Sequence, residues 1–278
     1  MLEKLYKDNM DQFSKSDHKI MESLMRNKDE LQYLSSSELS KKANVSFATL
    51  SRFWGKIGFK NLTDFKSYLR EDTHLTPASR IAATLEQWND ETYNVGELIS
   101  KYQLHLERTF MNLSPETLKK AAERIMSSSK IYIFAPDSSS GLAEILIYRL
   151  NRLGLEFFTM KNGSAIYETM INISKNDLVI MFSYSRLLTE IEILLLHSQE
   201  AGYHTLLFTD LITSKYLEIA EIILYSYRGE PNEYHSMMSP LALIDLLVLW
   251  IARIKVNPLE KMQYLEHIRT KHSGLIKR

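Results

Sequence analysis

The sequence predicts a multidomain α and α/β chain, with an all-α domain at the N-terminus and a parallel α/β domain after it. Residues 1–77 contain no convincing strand pattern, and their apolar residues recur at helical spacing. Further along, five short apolar runs alternate with amphipathic stretches, which is the pattern of buried parallel strands connected by helices. The five predicted strands are Lys130–Ala135, Leu155–Met160, Asp177–Ser183, Tyr203–Thr209 and Glu221–Tyr225.

The composition excludes several classes of protein. The 278 residues include no cysteine, which excludes a disulfide scaffold, a thiolate metal site and a cysteine nucleophile. The longest apolar stretch, Leu241–Ala252, contains Asp245 and is shorter than the roughly 20 residues of a membrane-spanning helix. We therefore expect a soluble cytoplasmic protein with no membrane partner, no bound metal and no other cofactor.

The net charge of zero conceals an uneven distribution of charge. Residues 36–70 hold seven basic and two acidic side chains, whereas residues 78–252 hold 14 basic and 21 acidic ones. Residues 253–278 are again basic, with seven basic against two acidic side chains. A neutral total alone argues against nucleic acid as a partner, but a basic N-terminal segment joined to an acidic body does not.

The N-terminal segment has the sequence pattern of a helix-turn-helix. Ser35 and Glu38 form a predicted capping box at the start of a short helix, Ser37–Ala43. A second helix, Phe47–Ile57, follows and ends at Gly58, and a further helical segment covers Asp64–Glu71. The turn between the first two helices requires a small residue, a residue that tolerates positive φ, an N-cap and apolar residues that lock the second helix. These are Ser40, Asn44 and Ser46, with Leu39, Val45, Leu50 and Phe53 as the apolar set.

The outward face of the second helix suits the major groove of DNA. Arginine can bind guanine, and threonine or alanine can contact a thymine methyl group, so Arg52 and Thr49 are the predicted base contacts. Lys56 and Lys60 are the predicted phosphate contacts. The alternative is a small helical domain whose basic residues are merely solvated. The full set of candidate DNA-binding residues is Ser46, Phe47, Ala48, Thr49, Ser51, Arg52, Lys56 and Lys60.

Two hydroxyl-rich loops follow predicted strands in the C-terminal domain. In an open parallel sheet, ligands bind beyond the carboxyl ends of the strands, where the strand order reverses. Hydroxyl groups and free amides at a helix N-terminus are donors that suit a phosphate. The alternative is that the serines only cap the helices that follow. The candidate ligand-binding residues are Ser138, Ser139, Ser183, Tyr184, Ser185 and Arg186.

Residues 49–69, TLSRFWGKIGFKNLTDFKSYL, resemble the signature of RpiR-type bacterial transcriptional regulators. Ser51-Arg52-Phe53, Lys56, Gly58-Phe59 and Phe65 carry the resemblance. It implies a C-terminal SIS (sugar isomerase) domain, a flavodoxin-like five-stranded α/β sandwich that usually binds a phosphosugar effector. Both ligand loops match the SIS pattern with departures, because Ala135, Asp137 and Arg186 replace glycines and Leu188 replaces a threonine.

The resemblance also implies the order of the domains and a homo-oligomer. We expect a DNA-binding domain at 1–77, a helical linker at 78–111, an effector and dimerisation domain at 112–256 and a C-terminal helix at 257–278. The helix Ser239–Ile254 is apolar nearly all round and needs cover, either from the sheet or from a second subunit of a dimer or tetramer. Further predicted buried positions are Ile81, Leu85, Trp88, Leu98, Leu104, Leu106 and Phe110 in the linker, and Leu259, Met262, Leu265 and Ile268 in the C-terminal helix.

The sequence therefore predicts a DNA-binding regulator of sugar or sugar-phosphate metabolism that senses a phosphosugar. One alternative is a regulator whose degenerate SIS domain serves only oligomerisation. Another is a SIS-type sugar-phosphate isomerase, which would need a paired acid and base. The eight histidines are scattered, with His197 expected to be a surface or packing residue and Glu233 and His235 expected at the surface, so we predict no catalytic residue and no enzyme.

Overall fold

A computed structural model describes residues 5–6, 9–27, 31, 34–66, 76–87, 95–212, 214 and 216–276. The chain forms two compact units, Met1–Leu85 and Glu86–Arg278. Trp88 and residues 67–71 of the last predicted N-terminal helix lie outside the described ranges. Within those ranges, no helix combines the length and the hydropathy that crossing a membrane requires.

The N-terminal unit is helical, as predicted. It contains a 3-10 turn at Met10–Gln12 and the helices α1 (Lys15–Arg26), α2 (Ser36–Lys42) and α3 (Phe47–Lys56), followed by helical residues at 62–66. Their apolar faces meet in one core because each helix is amphipathic. The fully buried members of that core include Ile20, Met21, Leu24, Leu39, Phe53 and Phe65.

The C-terminal unit contains the predicted five-stranded parallel sheet. The strands are β1 (Ile131–Phe134), β2 (Phe157–Thr159), β3 (Leu178–Ser183), β4 (His204–Thr209) and β5 (Ile222–Tyr225). Their order is β2-β1-β3-β4-β5, and every neighbouring pair is parallel. The chain therefore crosses from one side of β1 to the other between β2 and β3. The loops after β1 and β3 flank that crossover, where ligands bind in this class of sheet.

Helices cover both faces of the sheet. One face packs against α6 (Pro115–Ser127), α7 (Ser139–Asn151) and α10 (Met238–Ile254), whose Leu243 and Leu247 are buried. The other face packs against α8 (Ile166–Met170) and α9 (Thr189–Ala201). Both β1 and β3 are buried along their whole length, as strands covered on both faces must be. The remaining helices are α4 (Pro77–Gln87), α5 (Val95–Met111) and α11 (Glu260–Lys271), with short 3-10 turns at Gly163–Ala165 and Leu217–Ile219.

The predicted burial of the linker helices is wrong for most of their apolar residues. On α4, Ile81 is 45% exposed and Leu85 is 52% exposed, and on α5 both Leu104 and Phe110 are exposed. Leu98 and Leu106 are half-buried. Helical spacing predicts that such residues share a face, but it does not say whether the same chain covers that face.

The predicted inward face of the C-terminal helix is wrong in the same way. Leu259 and Ile268 are exposed, whereas Met262 and Leu265 are half-buried. No residue of α11 is fully buried. The apolar spacing of α11 therefore produces a partly covered helix, and α10 also leaves Leu249 exposed on its outer side.

Candidate functional site

The turn between α2 and α3 forms as the sequence predicts. Asn44 adopts φ of +52°, a left-handed conformation that asparagine tolerates better than most residues. Ser40 is buried where the helices approach, and its carbonyl accepts the amide of Val45 at 3.0 Å. Ser46 is the N-cap of α3, and its hydroxyl accepts the backbone N–H of Thr49 at 3.1 Å. These local bonds set the angle at which α3 leaves the turn.

The inner side of α3 is locked into the core. Leu50 and Phe53 are fully buried, and the Phe53 ring contacts Phe13 at a centroid distance of 5.8 Å. The helix ends at Lys56, and Gly58 two residues later has φ of +86°, which allows the Phe59 amide to reach back to the Trp54 carbonyl at 2.8 Å. Because its inner face and both its ends are held, α3 presents its outer face as a rigid surface.

That outer face is open to solvent, with Phe47 61% exposed. Ala48, Ser51 and Arg52 are also exposed, and the Arg52 Nε donates to the Ala48 carbonyl at 3.3 Å. Thr49 is half-buried, and its hydroxyl lies 2.8 Å from the Ser46 hydroxyl. Phe47, Ala48, Ser51 and Arg52 thus lie on the exposed side of α3, whereas the Thr49 hydroxyl is engaged in the N-cap.

Lys56 has a structural partner that its sequence neighbours do not reveal. Its Nζ lies 2.6 Å from the Oδ2 of Asp17, a buried carboxylate in the first turn of α1. Burial alone would raise the pKa of Asp17, but hydrogen bonds from Lys56 and Ser14 hold that pKa below its ordinary value. Lys56 therefore stabilises the packing of α1 against α3. The exposed side chain of Lys60 lies just beyond the end of α3, and its backbone amide donates to Asp64.

The loop after β1 carries the first pair of predicted ligand residues. Ser138 is exposed at the N-cap of α7, but its side chain makes no capping bond, and Ser139 is buried. Asp137 has φ of +50°, a conformation that a glycine would adopt without strain. Its side chain is exposed.

The loop after β3 is held by hydrogen bonds that do not cap α9. The Ser183 hydroxyl donates to the Arg186 carbonyl at 2.9 Å, while the Arg186 side chain is exposed. Leu188 occupies the N-cap of α9 and offers no side-chain bond there. Ser185 has φ of +67°, and its amide donates to the Oδ1 of Asp210 at 2.7 Å. The alternative in which the serines merely cap helices is therefore wrong for Ser138 and Ser183.

A buried polar cluster that the sequence did not predict adjoins this second loop. Arg228, with 6% of its side chain exposed, donates from Nη1 to the Oδ2 of Asp210 at 3.3 Å. The Nδ1 of His235 lies 3.3 Å from the Ser185 hydroxyl and 3.9 Å from the Asp210 carboxylate. The Arg228 guanidinium also lies over the Tyr184 ring, 4.9 Å from its centroid. The expected surface position of His235 is therefore wrong, because the ends of β3, β4 and β5 converge around it.

The segment 226–237 that carries Arg228 and His235 is tied to α5. Lys101 pairs with the half-buried Glu233 at 2.7 Å, and Arg108 pairs with Glu230 at 3.0 Å. The Tyr227 amide donates to the Thr109 hydroxyl at 3.0 Å. His105 lies on the same side of α5, where burial lowers its pKa and its ring packs against Tyr227 at a centroid distance of 5.2 Å. These contacts connect one wall of the polar cluster to the helix that begins the C-terminal unit.

The fold and the two sites define a class of protein: a helix-turn-helix DNA-binding regulator with a second, α/β domain whose hydroxyl-bearing loops lie at the sheet crossover. Residues 1–75 match the helix-turn-helix domain of the rpiR family, and residues 124–250 match the SIS domain. The chain belongs to the RpiR-type family of transcriptional regulators.

Individual relatives agree with this assignment. An uncharacterised HTH-type transcriptional regulator from Caldanaerobacter subterraneus is 25% identical over 92% of this chain and 91% of its own length. The regulator YfhH of Escherichia coli is 24% identical over 78% of each chain. Among solved structures, the sugar isomerase domain of an RpiR transcription factor from Sphaerobacter thermophilus covers 63% of this chain and 97% of its own, at 24% identity and a TM-score of 0.57.

A second solved structure spans both units. The Vibrio vulnificus NanR protein complexed with ManNAc-6P covers 100% of this chain and 99% of its own, at 20% identity and a TM-score of 0.62. The likeness to these two solved structures shows a shared fold.

Proposed function

We propose that this regulator binds operator DNA through α3 and responds to a sugar phosphate bound at the crossover of its SIS domain. The observation that carries the proposal is the convergence at one sheet edge of the Ser185 amide, the Ser185 hydroxyl and the buried Arg228 guanidinium. Backbone amides, hydroxyls and guanidinium groups are the donors that bind phosphate in proteins. NanR, which shares the fold, is complexed with a sugar phosphate.

The DNA-binding half of the proposal rests on the exposed face of α3. Arg52 is an exposed cation on that face, and the N-terminal turn with Phe47 and Ala48 is free of packing against the core. The first turns of a recognition helix are the part that contacts base edges. We retain Lys60 as a phosphate contact and give Lys56 a second, structural role through Asp17. We assign the DNA-binding function to residues 1–77, in the cytoplasm.

A second copy of the chain completes the proposal. Large apolar side chains are exposed on α4, α5, α10 and α11, and an apolar helix face that its own chain leaves exposed favours a protein interface. A homo-oligomer, either a dimer or a tetramer, would cover these faces and bring two copies of α3 to two half-sites. Two linked reading helices bind more tightly than one because the second binding event is intramolecular.

A thermal-shift screen of the full-length chain tests the effector half. A sugar phosphate at about 100 times its Kd is expected to stabilise the SIS domain by about 2.7 kcal/mol, which corresponds to several degrees in Tm. Ser185→Ala is expected to reduce that shift because it removes a hydroxyl donor at the crossover. Ser127→Ala is the matched control, since Ser127 lies before β1 at the opposite edge of the sheet.

The same screen separates the alternatives. If no sugar phosphate raises the Tm while operator DNA still binds, the SIS domain serves only oligomerisation. If a stabilising sugar phosphate is converted between its aldose and ketose forms, the chain is an isomerase, and the pair His235 and Asp210 would be its candidate acid and base. We propose instead that the chain binds the sugar phosphate without converting it.

A further inference from the structure

The carboxylate of Asp210 lies at the end of β4, and only 9% of that side chain is exposed. Its Oδ1 accepts the Ser185 amide at 2.7 Å, and its Oδ2 accepts Arg228 Nη1 at 3.3 Å. His235 Nδ1 lies 3.9 Å from the same Oδ2. One carboxylate therefore takes the loop amide and the buried guanidinium that an anionic ligand of this site would use.

The arrangement creates a direct electrostatic conflict. The buried cation beside the loop after β3 is Arg228, and Asp210 already pairs with it. A phosphate dianion placed beside the Asp210 carboxylate would be repelled, because like charges a few ångströms apart repel strongly in a partly buried site. An anionic ligand can therefore bind fully to the Ser185 amide and the Arg228 guanidinium only if Asp210 no longer accepts their hydrogen bonds.

We propose that Asp210 is an internal competitor for the effector, occupying the anion-binding position of the loop after β3 until a phosphate displaces it. The inference rests on the proposed function and adds a mechanism of regulation at that site. It also assigns a specificity role, because a neutral sugar carries no negative charge that could replace the charge of Asp210 beside the Arg228 guanidinium. Whether a ligand displaces Asp210 from the site thus depends on the negative charge of that ligand.

Displacement of Asp210 would affect α5 through Arg228 and segment 226–237. Arg228 also donates to the carbonyls of His235 and Ser236, so a new partner for its guanidinium changes the restraint on segment 226–237. That segment is held to α5 through Glu230 and Glu233. The exchange of one anion for another therefore acts on a segment already coupled to the helix at the start of the C-terminal unit.

The test is the variant Asp210→Asn in the full-length chain, which removes the charge and keeps the size. We expect its affinity for inorganic phosphate, measured from the rise of Tm with phosphate against chloride at equal ionic strength, to exceed that of the wild type by about tenfold or more. Asp177→Asn is the matched control. Asp177 is also a buried carboxylate that accepts two backbone amides, those of Lys130 and Ser174, but it lies at the opposite edge of the sheet, and its variant is expected to gain no affinity.

The outcomes separate this inference from the proposed function. If wild-type protein is stabilised by a sugar phosphate while Asp210→Asn gains no affinity for phosphate, Asp210 is a structural ion-pair partner and the inference is overturned. If Asp210→Asn gains phosphate affinity while no sugar phosphate stabilises the wild type, the competitor role stands and the sensing function fails.

A measurement on wild-type protein covers the case in which Asp210→Asn does not fold. The ¹³Cγ resonance of Asp210 is expected to shift as inorganic phosphate is titrated in, together with the amide resonance of Ser185, because the bond between them breaks. An Asp210 resonance that stays unchanged at saturating phosphate contradicts the displacement.

Discussion

Replacing Arg52 with alanine is expected to weaken operator binding by about 1–3 kcal/mol for each reading helix, or roughly 5- to 150-fold. The physical reason is that the exposed guanidinium on the outer face of α3 can bind a guanine edge through two hydrogen bonds, which alanine cannot replace. Specificity should relax at the base pair that Arg52 contacts. The measurement is fluorescence anisotropy with an operator selected in vitro by the wild-type protein, at fixed salt concentration.

Two control variants test whether the loss of discrimination is specific to Arg52. Lys60→Ala is expected to weaken binding to all sequences alike and to reduce the salt dependence by about one unit of slope, as the loss of a phosphate contact does. Arg26→Ala removes an exposed arginine that pairs with Glu22 on α1, outside the helix-turn-helix, and should leave discrimination unchanged. If Arg52→Ala kept full affinity and full discrimination, α3 would not be the reading helix.

Replacing Phe53 with alanine is expected to destabilise the N-terminal unit by about 3–5 kcal/mol. The Phe53 ring is fully buried, and it contacts both Phe13 and Trp54, so its loss leaves a cavity between α3 and the rest of the core. A domain of this size has a total stability of about 5–15 kcal/mol, so the remaining stability would be marginal. Calorimetry should show an early transition of the N-terminal unit and an unchanged transition of the SIS domain.

Phe47→Ala is the matched control for that experiment. The substitution is identical and lies on the same helix, but the Phe47 ring is exposed on the outer face. It should cost less than about 0.5 kcal/mol of stability, as surface substitutions usually do, and still weaken operator binding. Equal stability losses in the two variants would contradict the assignment of inner and outer faces.

Local sequence signals predicted the helix-turn-helix well. Ser35 with Glu38, Asn44, Ser46 and Gly58 each act within a few residues of their own position, through caps and positive-φ turns. The five strands were predicted for the same reason, since a buried parallel strand is a short apolar run with turn residues at both ends. The family resemblance then identified the domain pair that residues 1–75 and 124–250 match.

Contacts between residues that lie far apart in the chain could not be predicted from the sequence. Asp17 and Lys56 are 39 residues apart, and Ser185 and His235 are 50 residues apart. Neither pair forms a motif with a recognisable spacing, because the topology of the helices or of the sheet brings the partners together. Arg186 was predicted as one of the ligand-binding residues, yet its side chain is exposed, and the buried cation of the cluster is Arg228.

The exposed faces of α4 and α11 illustrate a second limit. Periodicity correctly placed Ile81 with Leu85, and Met262 with Leu265, on helices, but it could not tell whether the cover comes from this chain or from a second copy. The burial of a residue depends on every element that packs against it. The apolar pattern of one helix shows which of its residues share a face, but not which element packs against that face.

The most direct test of the central claim is the operator affinity of full-length protein measured with and without a sugar phosphate that raises its Tm. A regulator of this kind couples the two sites, so we predict that the sugar phosphate changes the operator Kd by about 5- to 150-fold. By linkage, operator DNA should change the affinity for the sugar phosphate by the same factor. A sugar phosphate that binds the SIS domain but leaves the operator Kd unchanged would contradict the account.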